Sequence, residues 1–331
     1  MSDFRIDQIT NQAGTAGPQI AGITTFSGSS GLLMPSGPTE YRGGRGRGVF
    51  ADGSAPTVIN VIDYITIATT GNALDFGDQY FARDLLAPAA SSTRGIFAGS
   101  GNPTFSNIID YITISSTGNS FDFGDLSEPT YSAGGCSDGT RGVFAGGNAS
   151  GYSSTSNKIQ YITISSLGNT SQFGTLTYGR RHVGGFSSPT RGVFGSGVGD
   201  TNVMDYITIQ SLGNAQDFGD LVTPKQDTAG CSNKIRGLFI GGNSNSIEYI
   251  TITSLGNAQD FGDLSVNINY GGGLASSSRG VFHSSSASSL NNILEYVTIM
   301  TTGNALDFGD LTVARLFGGG SLSDAHGGLG D

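Results

Sequence analysis

Alternating apolar and polar positions recur along this chain in short stretches that are typical of β-strands. Residues 107–114 are rich in β-branched and aromatic side chains, and successive side chains are expected to point to opposite faces. One face would carry Ile108, Asp110, Ile112 and Ile114, and the other Ile109, Tyr111 and Thr113. No ten-residue window has the pattern of a strongly amphipathic helix, so the chain is predicted to be all-β.

Three phrases each occur six times, at spacings of about 43 to 50 residues. The first, Tyr-(Ile/Val)-Thr-Ile, has its tyrosine at Tyr64, Tyr111, Tyr161, Tyr206, Tyr249 and Tyr296. The second, Arg-Gly-(Val/Ile/Leu)-Phe, begins at Arg47, Arg94, Arg141, Arg191, Arg236 and Arg279. The third, Gly-Asn-x-x-(Asp/Gln)-Phe-Gly, contains Phe76, Phe123, Phe173, Phe218, Phe261 and Phe308. A repeated three-part unit of this kind indicates one structural motif present in six copies.

Each unit is predicted to hold four short strands. Besides the tyrosine strand, strands are predicted at residues 141–145 and at residues 215–218, and a fourth at residues 178–183, before Gly184-Gly185. Four strands in each unit are typical of a propeller blade, so we predict a six-bladed β-propeller, with seven blades as the alternative. Because one blade buries only part of each face, the repeated Tyr and Phe are expected to fill the space between blades.

The two ends of the chain complete this picture. Residues 312–317 resemble the first strand of a blade, but the other strands of such a blade do not follow. We therefore expect this strand to close blade one beside residues 47–51. The propeller domain is therefore assigned to residues 39–331. Residues 1–38 do not fit the repeat and are assigned to an N-terminal arm.

The order of these strands resembles the kelch repeat. In both, a strand ending in Gly-Gly is followed by a strand with a conspicuous tyrosine and by a strand with a large aromatic residue. Kelch repeats usually have tryptophan in the last place, whereas this chain has no tryptophan and uses phenylalanine there. The resemblance covers roughly residues 40–320 and implies a divergent kelch-like propeller.

A second resemblance concerns the arm. Its sequence, MSDFRIDQITNQAGTAGPQIAGITTFSGSSGLLMPSG, looks like the N-terminal module of virion structural proteins of marine tailed phages, especially cyanophages. Those proteins also carry repeats with phrases similar to YITIxSxGNAxDFGDL. The resemblance implies a tail-fibre, tail-associated or capsid-attached protein that is anchored by its N-terminus. The apolar anchor candidates are Phe4, Ile6, Ile9, Ile20, Ile23 and Phe26.

The charge of the chain bears on its partners. The formal net charge is −10, and the single basic cluster contains Arg42, Arg45 and Arg47. Nucleic-acid binding requires a basic surface, so DNA and RNA are not expected as partners. Neither a signal peptide nor a window of about 20 apolar residues is present, so we expect a protein made in the cytoplasm, without membrane insertion. The resemblance to phage proteins implies that this is the host cytoplasm and that the protein is located in the virion.

Cys136 and Cys231 occupy the same position in repeats three and five, five residues before a repeat arginine. These repeats are not neighbours, and a disulfide requires Cα atoms within about 7 Å. Both thiols are therefore expected to be reduced.

Repeated acidic residues suggest two further roles. The pairs Asp75/Asp78, Asp122/Asp125, Asp217/Asp220, Asp260/Asp263 and Asp307/Asp310 have oxygen ligands suited to Ca²⁺, but the third repeat has Gln172 and Thr175, which favours turn capping or surface charge. The repeat arginines could line a polar channel, but we expect them to pair with the acids before each tyrosine. These acids are Asp63, Asp110, Asp205, Glu248 and Glu295, with Gln160 in the third repeat.

Catalytic motifs are weak. The repeated Asp-Phe-Gly matches the metal-binding triplet of kinases, but the other kinase motifs are missing. His182, His283 and His326 are scattered, and no Gly-x-Ser-x-Gly elbow supports a Ser–His–Asp triad. A catalytic site would break the sixfold pattern with one odd group of residues, and none is evident in the sequence. We therefore expect neither an enzyme nor a cofactor.

The expected function is display of the propeller on a virion, in several copies, for binding another virion protein or a host-surface protein or glycan. The longest and most divergent loops, residues 79–92, 146–156, 196–202 and 283–291, are the candidate binding loops. The alternative is a tail-borne glycan-degrading enzyme, which would need paired carboxylates that converge in the central channel.

Overall fold

The computed structural model describes residues 46–149, 154–199, 201–285 and 289–325. These residues form six four-stranded antiparallel sheets and one two-stranded sheet. The all-β, six-bladed propeller that the repeats predicted is therefore confirmed. Within the described residues no helix is long and apolar enough to span a membrane. The arm and its six anchor candidates lie outside these residues.

The strands follow one another in a fixed order within the blades. Blade one begins with β1 (Arg47–Ala51), β2 (Val61–Thr66) and β3 (Leu74–Asp78). Blade two contains β4 (Ala87–Ala90), β5 (Arg94–Ser100), β6 (Ser106–Thr113) and β7 (Phe121–Asp125). After β8 (Thr130–Tyr131), blade three contains β9 (Gly134–Ser137), β10 (Arg141–Ala145), β12 (Lys158–Thr163) and β13 (Ser171–Thr175), and β11 (Asn148–Ala149) pairs with β8.

The remaining blades repeat the arrangement. Blade four contains β14 (Gly184–Ser187), β15 (Arg191–Gly195), β16 (Thr201–Thr208) and β17 (Gln216–Lys225). Blade five contains β18 (Thr228–Ser232), β19 (Arg236–Gly241), β20 (Ser244–Thr251) and β21 (Gln259–Ile268). Blade six contains β22 (Gly272–Ala275), β23 (Arg279–His283), β24 (Asn291–Thr298) and β25 (Leu306–Arg315), and β26 (Gly320–Ser323) follows.

The inner strands β26, β4, β9, β14, β18 and β22 surround the propeller axis, and each contacts the next. Serine hydroxyls join four of these neighbouring pairs where the strands end. Ser137 Oγ donates to Ala90 O, Ser187 Oγ to Ser137 O, Ser232 Oγ to Ser187 O and Ser323 Oγ to Ala275 O, at 2.6–2.7 Å. These bonds hold separate blades together at one end of the axis.

The ring is closed by the C-terminal part of the chain, but not by the predicted segment. The strand that pairs with β1 is β26, with Val49 opposite Leu322. Residues 312–315 instead belong to β25, the outer strand of blade six, and Arg315 lies opposite Asn291. Closure was thus predicted correctly, whereas its assignment to residues 312–317 was wrong.

The strand predicted at residues 178–183 was also placed wrongly. Residues 178–183 lie outside any strand, and the inner strand begins at Gly184. Near the axis adjacent backbones approach so closely that a Cβ at Gly135 would lie 1.9 Å from Pro88 O, and one at Gly185 would lie 2.7 Å from Gly135 O. The pair Gly184-Gly185, which resembled a turn, is therefore inside an inner strand, because a side chain at Gly185 would clash with the neighbouring backbone.

The core lies between blades. Buried apolar residues form six clusters, and each cluster joins two adjacent blades, as where Leu238 and Phe261 of blade five pack with Phe282 and Val297 of blade six. On each blade the three repeated residues form one stack. The Arg guanidinium lies 4.2–4.5 Å from the Tyr ring centre, and that ring meets the Phe ring edge-on at 6.0–6.1 Å.

Each repeat arginine also fastens its blade to the next. Arg47 Nη1 donates to Ile114 O at 2.8 Å, and the other five arginines make the equivalent bond at 2.7–3.0 Å. The asparagine of each Gly-Asn turn accepts a bond from the backbone N–H of the preceding blade, as from Asp78 to Asn119 at 3.0 Å. The predicted pairing of the repeat arginines with the acids before each tyrosine is therefore wrong.

Four of those five acids pair with a different set of cations, whereas Glu295 accepts bonds from the Ser284 hydroxyl and from Ser265 N. The contacts are Arg83–Asp110 at 2.8 Å, Arg180–Asp205 at 2.7 Å, Lys225–Glu248 at 2.8 Å and Arg315–Asp63, all buried. Each cation precedes an inner strand and reaches the third strand of the blade that this inner strand begins, so Lys225 and Arg315 cross from the outer strand of one blade to the next blade. Gln160 of blade three instead accepts bonds from Ser127 N and the Thr170 hydroxyl.

Cys136 and Cys231 are free and buried in inner strands of blades three and five. Burial raises the pKa of both thiols well above the usual value. Each sulfur packs close to the glycine of the next blade's Arg-Gly phrase, at Gly192 and Gly280. Both thiols therefore act as small apolar groups between blades.

Candidate functional site

The two faces of the propeller differ in sequence. In an antiparallel blade, the connection that enters the inner strand and the connection between the second and third strands lie at the same end, here called the upper face. The four divergent loops at residues 79–92, 146–156, 196–202 and 283–291 all reach this face. Residues 150–153, 200 and 286–288 of these loops lie outside the described residues.

Six residues, one from each blade, form a ring around the axis on the upper face. Each lies one to three residues before an inner strand and has a left-handed backbone, with φ between 53° and 59°. The ring contains Leu85, Ser132, His182, Asp227, Tyr270 and Phe317. Backbone N–H groups join its members, from Ser132 to Leu85 O at 3.0 Å, from His182 to Ser132 O at 2.9 Å and from Tyr270 to Asp227 O at 3.1 Å.

None of the six ring residues is glycine, although glycine adopts this conformation at the lowest cost. At the scaffold positions of the repeat the same residue recurs from blade to blade. In the ring all six residues are different, and they include apolar, aromatic, hydroxyl, imidazole and carboxylate side chains. The six ring positions therefore share one backbone conformation but carry different side chains.

A cavity of about 70 Å³ opens at the centre of this ring. Five ring residues line it, together with apolar groups such as Leu86, Pro88 and Val183 and several glycines of the inner strands. Its volume exceeds the roughly 10–15 Å³ that one water molecule requires. The cavity thus has room for a small ligand group with polar contacts on one side.

The polar side is organised around Asp227. His182 Nδ1 lies 2.7 Å from Asp227 Oδ1, and both side chains are largely buried. The Tyr270 hydroxyl lies close to the same carboxylate. Burial, then the Asp227 charge, raises the pKa of Tyr270 far above its usual value, so the phenol stays neutral.

Ser132 lies beside His182 in the ring and has a buried hydroxyl. Within the described residues its Oγ has no hydrogen-bond partner. Ser132, His182 and Asp227 are the residue types of a nucleophilic triad, and they come from three successive blades. The serine is not hydrogen-bonded to the histidine, however, so the contact that would activate a nucleophile is missing from this arrangement.

Aromatic rings continue the wall of the site. His182 meets Tyr131 at 6.2 Å and Tyr270 at 5.2 Å between ring centres, and Tyr270 meets Phe317 at 5.0 Å. All three contacts are edge-to-face, the geometry that aromatic pairs favour. The rings support one another and fix the position of the Tyr270 ring at the cavity.

Asp52 connects the closing segment to this ring. Its carboxylate accepts backbone N–H bonds from Leu86 at 3.2 Å, from Gly319 at 3.0 Å and from Gly320 at 3.0 Å. Burial raises the pKa of Asp52 to about 8, although these donors and Arg315 act in the opposite direction. Asp52 therefore has a structural role in joining blades one and two.

The residues predicted from the repeat do not lie in this cavity. The repeat Arg, Tyr and Phe residues form the blade stacks, and no group of three or more His, Cys, Asp or Glu side chains able to hold a metal comes together in the described part of the chain. His283 is buried beside Asn291 O, and His326 lies outside the described residues.

Leu85 lies within the predicted binding loop 79–92, but the other five ring residues were missed as a site because the ring positions share no residue type. Aligning the repeats on the Arg-Gly phrase would have found them, since Ser132, His182 and Asp227 each stand nine residues before a repeat arginine. A catalytic site was expected as one odd group within a single repeat. The odd group is instead spread over the repeats, one residue from each. No protein-family model matches this chain, and no curated protein matches it.

Proposed function

We propose that this chain is a structural protein of a phage virion, tail-associated or capsid-attached, that displays a binding propeller and is not an enzyme. On this proposal the N-terminal arm contacts other virion proteins. The upper face contacts a further virion protein or a protein or glycan on the host surface. Several copies are present on each particle.

One observation supports the binding role. The sequence is nearly the same in every blade at the face opposite the upper face, and it differs between blades at the upper face. The Arg–Tyr–Phe stacks and the Gly-Asn turns are nearly the same in all blades. The ring and the divergent loops differ in every blade. A rigid scaffold that presents variable loops and one asymmetric cavity is typical of recognition modules.

The contacts in the cavity favour binding over catalysis. A glycosidase needs two carboxylates on either side of the scissile bond. Among the described residues that line the cavity, Asp227 is the sole carboxylate. Asp227 is already paired with His182, and Ser132 lacks a bond to that histidine.

The virion assignment rests on the resemblance of residues 1–38 and of the repeat phrases to virion proteins of marine tailed phages. Its test compares the full chain with a chain that begins at Gly37, each incubated with purified particles of such a phage. We expect the full chain to co-sediment with the particles and the shortened chain to remain in solution. Equal circular dichroism spectra would show that both propellers are folded.

Equal co-sedimentation of the two chains would contradict the anchor role of the arm. The binding role has a separate readout, in which both chains are labelled and incubated with host cells. We expect both to bind the cells equally, because the upper face is present in each. Absence of cell binding, together with absence of any particle protein captured by the propeller, would contradict the display role.

A further inference from the structure

The backbone of the upper ring does not require the side chains that it carries. At φ near 56° glycine would be the least strained residue, yet Ser132, Asp227 and Tyr270 occupy such positions beside the cavity. Backbone hydrogen bonds at these positions join neighbouring blades, and such bonds do not depend on the side chain. The side chains therefore need a separate explanation.

The polar groups at the cavity include a hydrogen-bond acceptor and a hydroxyl that can donate or accept. The Asp227 carboxylate lies 2.7 Å from His182 Nδ1 and close to the Tyr270 hydroxyl. Ser132 is 8% exposed, and its hydroxyl has no hydrogen-bond partner within the described residues. A buried hydroxyl without a partner is costly. A ligand hydroxyl that bonded to it would remove that cost.

Apolar and aromatic groups complete the wall. Leu86, Pro88 and Val183 supply the apolar surface, and the Tyr270 ring is held between His182 and Phe317. A pyranose has an apolar face of C–H groups and a rim of hydroxyls, which matches one aromatic wall and several polar groups. An anionic ligand would meet the Asp227 carboxylate, and a cationic ligand would compete with His182 for it.

From these contacts we propose that the ring cavity binds a neutral saccharide unit, with its hydroxyls on Ser132 and Asp227 and its C–H face on Tyr270. This inference rests on the proposed binding function and specifies the ligand class of its upper face. It does not depend on the anchor role of the arm.

Saturation-transfer NMR on the full chain tests the proposal. The probes are the methyl glycosides of glucose, galactose and mannose, N-acetylglucosamine, and glucuronate as an anionic counterpart. We expect transfer to at least one neutral sugar and weaker transfer to glucuronate. The variants Ser132→Gly, Asp227→Gly and Tyr270→Gly delete side chains from positions where glycine keeps the backbone conformation. Each should reduce the affinity for that sugar, Tyr270→Gly by about tenfold.

Asn243→Gly is the matched control, because Asn243 also has a φ of 56° but is exposed and does not line the cavity. This variant should bind the sugar as the unmodified chain does. Tyr270→Phe, which keeps the ring, should retain more affinity than Tyr270→Gly. Circular dichroism of each variant establishes that it is folded.

Three outcomes would overturn the proposal: no transfer to any neutral sugar, stronger transfer to glucuronate, or transfer that the three cavity variants leave unchanged. If the sugars fail while both chains still bind host cells, the saccharide inference alone is wrong. If cell binding also fails, the proposed display function is wrong as well.

Discussion

At the residue scale, a buried apolar position of the repeat carries a polar residue in blade one. The residue after Phe-Gly-Asp or Phe-Gly-Thr is a buried leucine in five blades, at Leu126, Leu176, Leu221, Leu264 and Leu311. Blade one has Gln79, which is 2% exposed. Within the described residues neither polar atom of its amide has a hydrogen-bond partner.

Gln79→Leu is therefore expected to stabilise the protein. Removing two unpaired buried polar atoms and adding an apolar side chain that the other blades accommodate should raise the free energy of unfolding by about 1–3 kcal/mol. Urea denaturation at equilibrium measures this change. Leu126→Gln is the matched control and should destabilise the protein. A Gln79→Leu variant of unchanged or lower stability would show that the amide is satisfied in solution.

His283 is expected to make stability depend on pH. It is fully buried, and burial followed by the nearby Arg315 charge lowers its pKa to about 3. The unfolded chain takes up a proton near pH 6.5, whereas the folded chain does not. This contribution is complete above pH 6.5 and is lost as the pH falls toward 3. The loss between pH 7.5 and 4.5 should be about 2–3 kcal/mol.

His283→Gln isolates this effect. Urea denaturation at both pH values should show a smaller loss of stability on acidification in the variant than in the unmodified chain, because glutamine does not titrate. Other groups titrate equally in both proteins and cancel in the comparison. An unchanged pH dependence would mean that the His283 ring is protonated within the fold.

At the scale of elements, blades fit together through a glycine of one strand and a side chain of the neighbouring inner strand. A Cβ at Gly237 in β19 would lie 1.9 Å from the Phe186 ring of blade four. At the equivalent Gly142 in β10 the neighbour is Ala89, and the corresponding distance is 3.1 Å. A Gly→Ala substitution would therefore clash with the neighbouring blade at Gly237 but would nearly fit at Gly142.

Gly237→Ala should therefore destabilise the protein by about 1–3 kcal/mol or more, and Gly142→Ala by less. Thermal unfolding followed by circular dichroism compares the two variants directly. If both lost the same stability, backbone conformation rather than contact with the neighbouring blade would be the reason for glycine in the Arg-Gly phrase.

At the scale of the whole molecule, closure depends on one short strand. β26 pairs with β1 and contacts the inner strands of blades two and six. Without β26, the inner edge of β1 would lose its partner and the ring would open between its first and last blades. Closure of this kind joins residues that are far apart in the chain, so its loss affects every blade.

Deletion of residues 318–331 should lower the midpoint of thermal unfolding and make the transition less cooperative. Deletion of residues 326–331 is the control, because it leaves β26 whole, and it should unfold as the unmodified chain does. Calorimetry and size-exclusion chromatography measure both variants. A cooperative transition at the unmodified temperature in the longer deletion would contradict the closing role of β26.

The sequence by itself determined the fold, because each blade carries the same local signals. Period-two alternation, the Tyr and Phe positions and the Gly-Asn turns are properties of neighbouring residues, and six copies make them unmistakable. The arginines were also found from the repeat, but their partners were not. The Arg47 guanidinium bonds a carbonyl 67 residues away in the next blade, and no local pattern encodes that contact.

Only the tertiary structure decided which glycines are turns and where the site lies. Gly135 and Gly185 are strand residues because other backbones approach them at the axis, a property of their surroundings rather than of glycine itself. Ser132, His182 and Asp227 stand about 45 to 50 residues apart in the sequence and come together because successive blades pack side by side and bring the starts of their inner strands to one ring. Their arrangement exists only once these blades have packed.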